Sequence, residues 1–355
     1  AFKPFIYLAA LDKGYTPSSI IVDAPVSFTD SAGNTWNPEN YSGEYYGATP
    51  LRVGVEKSRN LMTIRLSQNI GMDTIVDYAR KFGINPNMEP HLANALGSTE
   101  TTLLQLTTAY GMLANGGQKI EPSFIDRIQD RYGKTIFKAD PRTCATCGSL
   151  IQWQNQATPE LVDTREFIAD PRTCYQMTSI LEGVVQRGTA TSLAELGYPI
   201  AGKTGTTNDS KDAWFIGYTP HLVVGVFVGF DNPKSLGEKE TGGSVAVPIF
   251  KEFMERALVD VPPSPFRVPP GVRLVQVNPS SGRPTSPDDP RAIWEAFIAG
   301  TEPSVNDYTP SSNPDGVYSP SGNTTTAPEE PTRESLEPQP FQNDTAPTTG
   351  TGGIY

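Results

Sequence analysis

Three strand-like runs follow one another almost without interruption near the middle of the chain: Pro199–Thr207, Ala213–Tyr218 and Leu222–Phe230. The last two are joined only by Thr219-Pro220-His221, a connection short enough to make them antiparallel neighbours. A sheet of this kind must bury its apolar face against other elements. The segments that could cover it are helical and come mostly earlier. Phe2–Leu11 is apolar all round, with Pro4 suited to a first turn and Gly14 at its end. Leu51–Val55, Leu61–Gln68 and Thr74–Phe82 have helical spacing. Thr102-Leu103-Leu104-Gln105 is a capping box for a helix with Leu103, Leu106, Tyr110 and Leu113 on one face. Met177, Ile180, Leu181, Val184 and Val185 form another apolar stripe, ending at Gly188, and Val247–Leu258 a last one. The expected class is α+β, an antiparallel sheet covered by helices.

Residues 15–57 read as loops and short strands, with a turn cluster at Asp30-Ser31-Ala32-Gly33-Asn34 and an aromatic, Gly-rich stretch from Trp36 to Gly47. Ile120–Gln129 and Thr135–Lys138 resemble a hairpin. Residues 139–170 form a polar, Cys-bearing excursion. Beyond Pro262 the composition changes: residues 261–355 hold 18 of the 33 prolines. One strand is expected at Val272–Val277 and one short helix at Ala292–Ile298. From Thr301 the chain is Pro, Thr, Ser, Gly and acid, and disorder is expected. The resulting division is a body at 1–260, a small extension at 261–300 and a tail at 301–355. The net charge of −11 includes no basic block, which argues against nucleic acid as a ligand. The longest apolar stretch, Leu222–Phe230, is too short to span a membrane. A buried helix starting at once from Ala1, with no initiator Met or leader pattern, leads us to expect further sequence upstream.

Three short motifs could carry chemistry. Lys203-Thr204-Gly205-Thr206-Thr207 joins a cation, hydroxyls and a glycine on one strand. Such a strand can bind a carboxylate while Gly205 admits a substrate backbone. The simpler alternative is a surface strand with a solvated lysine. Ser58-Arg59-Asn60 can relay a proton and hold an amide, although Ser and Asn also serve as ordinary helix caps. Lys3 opens an apolar helix, where desolvation and neighbouring cations could make it a base. Alternatively it snorkels to solvent.

In this order the motifs resemble the Ser-x-x-Lys, Ser-x-Asn and Lys-Thr-Gly set of serine β-lactamases and penicillin-binding proteins. The resemblance extends through Ala1-Phe2-Lys3-Pro4-Phe5, Glu56-Lys57-Ser58-Arg59-Asn60 and Ala201-Gly202-Lys203-Thr204-Gly205-Thr206-Thr207-Asn208. It continues in Ala114-Asn115-Gly116-Gly117, Gly183-Val184-Val185, Gly188-Thr189-Ala190, Asp212-Ala213-Trp214-Phe215 and Thr241-Gly242-Gly243. The chain is similar to the transpeptidase region of class A penicillin-binding proteins, the bifunctional cell-wall synthases. The resemblance implies Lys3, Ser58, Asn60 and Lys203 as catalytic residues and Thr204, Gly205 and Thr206 as substrate-binding ones. It implies no cofactor and no metal. The partners it implies are peptidoglycan stem peptides and β-lactams. Counting back three places from Lys3, the family's serine falls one residue before Ala1. This chain is therefore expected neither to acylate nor to turn over, and its domain to lack N-terminal strands. The family also implies a glycosyltransferase domain and membrane anchor elsewhere, on the periplasmic face of the inner membrane.

That compartment would permit a disulfide, for which Cys144–Cys147 is favoured, with Cys174 free. Zinc needs about four ligands, and only His91 and His221 could join the cysteines. Asp140-Pro141-Arg142-Thr143-Cys144 recurs as Asp170-Pro171-Arg172-Thr173-Cys174, too short to be a structural repeat. Glu89, near Leu92 and Asn94, resembles the deacylating glutamate of class A β-lactamases, but its flanks resemble the synthase pattern, where this loop is structural. The competing readings are a DD-carboxypeptidase or β-lactamase type of hydrolase, and a non-catalytic binding or scaffold module.

Overall fold

The computed structural model describes residues 1–29, 33–140, 142, 163–304 and 317–318. Helix α1 (Lys3–Asp12) is buried from Lys3 to Leu11, because it is apolar on every side. Pro4 sits in its first turn, and Gly14 leaves it at φ +92°. Strand β1 (Ile20–Asp23) leads to a small hairpin, β2 (Phe28–Thr29) and β3 (Thr35–Trp36). Strand β4 (Gly47–Pro50) returns antiparallel to β1 and runs straight into α2 (Leu51–Glu56). Then follow α3 (Asn60–Ile70) and α4 (Met72–Lys81), separated by Gly71 at φ +83°. Helix α5 (Leu103–Ala114) opens on the expected capping box, with Thr102 and Gln105 each accepting from the other's backbone N–H at 3.1 Å. Leu106, Tyr110 and Leu113 are buried on it, whereas Leu103 is 38% exposed.

A hairpin, β5 (Arg127–Gln129) and β6 (Thr135–Lys138), matches the expected one and is exposed along both strands. Helix α6 (Pro171–Gln186) is capped by Asp170 and carries Cys174, a buried free thiol whose pKa is raised by burial. Cys144 and Cys147 lie outside the described residues. The three strand-like runs form one antiparallel sheet, β7 (Ala201–Thr206), β8 (Ala213–Tyr218) and β9 (Val223–Val228), in that spatial order. Helix α7 (Val247–Ala257) covers one face, Phe250 meeting Phe215 edge-on at 4.8 Å. The other face meets α1 and α5. Lys203 pairs across to Ile216 and then Gly225, and a Cβ on Gly225 would touch Leu103 and Thr107 of α5. Lys203 and Gly205 therefore lie on the side of α5 and Ala1, while the Thr204 hydroxyl at the strand edge still comes within 3.4 Å of Lys203 Nζ. The rings of Phe5, Phe82 and Tyr110 knit α1, α4 and α5 into one core.

Two expectations need correction. Ala292–Ile298 is not a helix: β10 (Val272–Val277) and β11 (Ile293–Ile298) form an antiparallel hairpin with six paired positions. Glu295, Ala296 and Phe297 are buried, and Gln176 on α6 donates to the Ala296 carbonyl at 3.0 Å. Cross-strand pairing and docking on α6 override a locally plausible helix. The tail is also not uniformly structureless, because β12 (Val317–Tyr318) pairs with Ile20 and Ile21 of β1. The disorder expected at 305–316 and 319–355 concerns residues outside those described. Among the described residues, no helix is long and apolar enough to cross a membrane.

Candidate active site

Lys3 occupies the first turn of α1, where burial of the whole helix takes its side chain out of water. Its Nζ donates to the Ser58 carbonyl at 2.7 Å and to Asn60 Oδ1 at 2.6 Å, with Ser58 Oγ at 3.4 Å. Burial pushes its pKa well below the ordinary lysine value, and the Lys203 cation pushes it lower still. Ser58 lies in the middle of the short link between α2 and α3 at φ +56°, a left-handed conformation that a non-glycine residue adopts only under constraint. Asn60 is the first residue of α3, and its Nδ2 donates to the Glu39 carbonyl at 2.7 Å.

The alternative of a solvated Lys203 is excluded, since the residue has no exposed surface. Burial pushes its pKa down to about 7. Its Nζ lies 3.1 Å from the Thr204 carbonyl, and Thr204 Oγ1 lies 2.7 Å from Thr189 Oγ1. Thr206 Oγ1 accepts the Gly242 N–H at 3.1 Å, leaving its own proton free to donate. Gly205 is needed on steric grounds: a Cβ there would lie 2.5 Å from the Ala1 nitrogen. A Cβ on Gly242 would lie 2.4 Å from the Trp214 carbonyl oxygen and 2.5 Å from that of Gly205. The start of α1 and the Thr241–Gly243 segment thus both close on the same stretch of β7. Tyr110 on α5 helps to fix the first of these, donating to the Ala1 carbonyl at 2.6 Å.

The three motifs, distant in sequence, are therefore brought together. Lys3, Ser58 and Asn60 share hydrogen bonds, Lys203 lies within electrostatic reach of Lys3, and Gly205 touches Ala1. In the sequence, Thr189 and Thr241–Gly243 stand out only as parts of a resemblance. Asn40, whose side chain holds the start of α3, does not stand out at all. A buried polar residue in a polar, aromatic loop leaves no periodic signal.

Other candidates lie elsewhere. Glu89 has a side chain 68% exposed and pairs with His91 at 2.8 Å, which gives it no part in the lysine cluster. His221 donates to or accepts from Ser264 Oγ at 3.0 Å on the surface. Among the described residues no cluster of His, Cys, Asp and Glu could hold a metal ion. A cavity of about 400 Å³, lined by Phe82, Leu104, Met112, Ile120 and Ile168 among others, contains none of the motif residues.

Residues 1–255 match the family described as penicillin binding protein transpeptidase domain. Penicillin-binding protein 1A from Rickettsia bellii is 46% identical over 297 residues, covering 83% of this chain and 37% of its own. Its namesake from Pseudomonas aeruginosa is 38% identical over 346 residues, 88% of this chain and 42% of its own. This chain thus spans well under half the length of these relatives. The crystal structure of penicillin-binding protein 1A from Haemophilus influenzae superposes with a TM-score of 0.73 at 33% identity, covering 86% of this chain and 48% of that one. The PonA1 protein from Mycobacterium tuberculosis, solved with penicillin V, has the same fold, with a TM-score of 0.61 at 24% identity over 76% of this chain and 73% of that one. By this match and these identities, the chain belongs to the penicillin-binding protein transpeptidase domain family.

Proposed function

We propose that this chain carries the acyl-transfer centre of a peptidoglycan D-Ala-D-Ala transpeptidase. The observation that supports it most is the cluster in which buried Lys3 bonds to Ser58 and Asn60 while buried Lys203 lies within electrostatic reach of Lys3. Lys3 is hydrogen-bonded to Asn60 at 2.6 Å, and its pKa is depressed by burial and by Lys203. A lysine whose pKa is lowered in this way is better placed to accept a proton as a general base.

In this reading the nucleophile is a serine three residues before Lys3, carried by the longer protein. Its hydroxyl gives its proton to the Lys3 amine and its oxygen bonds to the carbonyl carbon of the D-Ala-D-Ala peptide bond. The tetrahedral oxyanion takes a hydrogen bond from the Thr206 backbone N–H. Ser58 Oγ, 3.4 Å from Lys3 Nζ, passes a proton to the departing D-Ala amine as the C–N bond breaks. Lys203, Thr204 and Thr206 hold the substrate's terminal carboxylate, and Gly205 lets the substrate backbone approach. Asn60 exchanges its bond to the Glu39 carbonyl, or to Lys3, for one to a substrate amide. An amine of a second stem peptide then attacks the acyl ester, forming the cross-link and freeing the serine. β-Lactams enter as acyl donors and stay on the serine. The relatives' name, penicillin-binding protein, fits this chemistry. We extend the proposal to a longer protein with a glycosyltransferase domain, anchored on the periplasmic face of the inner membrane, with serine-type D-Ala-D-Ala carboxypeptidase activity when water replaces the amine.

Fluorescent penicillin tests the proposal. The full-length protein should take up one covalent label per chain, and the Lys203→Ala variant should lose nearly all of it. Residues 1–355 alone should take none. A full-length protein that stays unlabelled sinks the proposal. Incubation with a stem-peptide donor and an amine acceptor should yield dimers, and free D-Ala without dimers would point to a hydrolase instead.

A further inference from the structure

Asn40 belongs to none of the motifs, yet it is 4% exposed and all of its amide is engaged. Its Oδ1 accepts the backbone N–H of Asn60 at 2.9 Å and of Leu61 at 3.3 Å. Its Nδ2 donates to Asp23 Oδ1 at 2.7 Å and to the Glu44 carbonyl at 2.9 Å. Two N–H donors on one side and two oxygens on the other fix which amide atom is which. The first backbone N–H groups of a helix need an acceptor, usually the side chain of the residue just before it. In α3 that residue is Arg59, which caps nothing. Asn40 does the capping from a separate loop.

The partner of Asn40 is itself fully buried. Asp23, the last residue of β1, has no exposed surface, and its Oδ2 lies 3.9 Å from Arg59 Nε without a hydrogen bond. The guanidinium of Arg59 lies 3.4 Å from the centre of the Tyr46 ring. Glu39 of the same loop accepts from the Asn60 side chain at 2.7 Å. The Ser58–Asn60 turn is therefore gripped on its backbone and on two side chains, while Ser58 sits in a conformation that would relax if released.

We propose that Asn40, backed by Asp23, is a positioning residue for acyl transfer. It acts through Asn60 and Ser58, setting their reach to the Lys3 amine and to the substrate. The proposal rests on the transpeptidase reading above, and its test separates the two. In the full-length protein, acylation by penicillin is resolved into binding and the acylation step. Asn40→Ala should slow acylation by about tenfold or more, the scale on which a small misplacement acts, with binding changed far less. Asn40→Asp alone should do at least as much harm, because it sets a carboxylate against Asp23. The reciprocal pair Asn40→Asp with Asp23→Asn should recover part of the rate, because the Glu44 carbonyl, which takes a 2.9 Å bond from Asn40 Nδ2, is left without that donor. It restores the bond between the two side chains with the charge moved, and the carboxylate brought in on the loop still accepts both α3 N–H groups. An Asn40→Ala protein that acylates at the parental rate overturns the proposal. So does a reciprocal pair no better than Asn40→Asp. Hydrogen exchange at the Asn60 and Leu61 amides provides a readout that needs no chemistry. Asn40→Ala should accelerate both by about tenfold or more as the cap is lost, with Asp23→Asn as a milder variant. Unchanged exchange overturns the proposal even in a protein that takes no penicillin, whereas faster exchange in such a protein upholds the positioning and removes only the transpeptidase reading.

Discussion

Lys203 is a cation with no exposed surface and no carboxylate beside it in a hydrogen bond or ion pair among the described residues. Its pKa is pushed down to about 7 by burial. In the unfolded chain a lysine titrates near 10.4. Between about pH 7 and pH 10 the unfolded state therefore binds more protons, and stability rises with pH across that window. Below about pH 7 the buried ammonium imposes its full cost. Lys203→Met should accordingly melt above the parent at pH 6, with the gap narrowing by pH 9. A gap that does not vary with pH would disprove this assignment. The Lys3 pKa should also rise in the variant, since the Lys203 charge is one cause of its depression. Both lysines were legible as candidates in the sequence. Their protonation was not, because it depends on the packing of α1 against β7.

At the scale of elements, local chemistry succeeded where the signal was local. Thr102 and Gln105 satisfy each other's backbone within four residues, so the start of α5 could be read directly. Thr102→Ala should cost about 1 kcal/mol in urea unfolding, the usual value of an N-cap. The failure at Ile293–Ile298 has the opposite cause, since the partner of that strand lies at Val272–Val277 and its floor is α6. The segment after Thr241 offers a functional test of close approach. In Gly242→Ala the new methyl group has no room between the Trp214 and Gly205 carbonyls. The segment must lift from β7 and release the Thr206 hydroxyl. Penicillin acylation of the full-length protein should fall by roughly tenfold or more. Full activity in this variant would show that the contact is dispensable.

Across the whole molecule, a buried charge network ties the C-terminal hairpin to the second motif. Arg52 on α2 pairs with Glu56 at 3.1 Å and with Glu295 on β11, and Arg187 reaches Glu56 at 2.9 Å. Burial raises the Glu295 pKa and the Arg52 charge counters it. A buried pair of this kind adds little net stability, but breaking it leaves a charge unpaired. Glu295→Ala should lose about 3–5 kcal/mol in denaturant unfolding. Replacing both partners, Arg52→Met with Glu295→Met, should lose less, because Glu56, although it loses Arg52, keeps Arg187 at 2.9 Å. Equal losses in the two proteins would mean that the pair is not the origin of the effect. Because α2 runs into Ser58, the hairpin at 272–298 also steadies the turn that carries the second motif.

The sequence by itself determined the elements whose causes are short-range: the all-apolar first helix, the Thr102 cap, the antiparallel run from Ala201 to Val228, and the residue types of the three motifs. Only the tertiary structure decided what those motifs do to one another. The distance from Lys3 to Asn60, the desolvation of Lys203, the capping of α3 by Asn40 and the strand at Ile293–Ile298 each depend on groups far apart in the chain. Burial and hydrogen bonding between such groups are properties of the packed core, and no local pattern of residues encodes them.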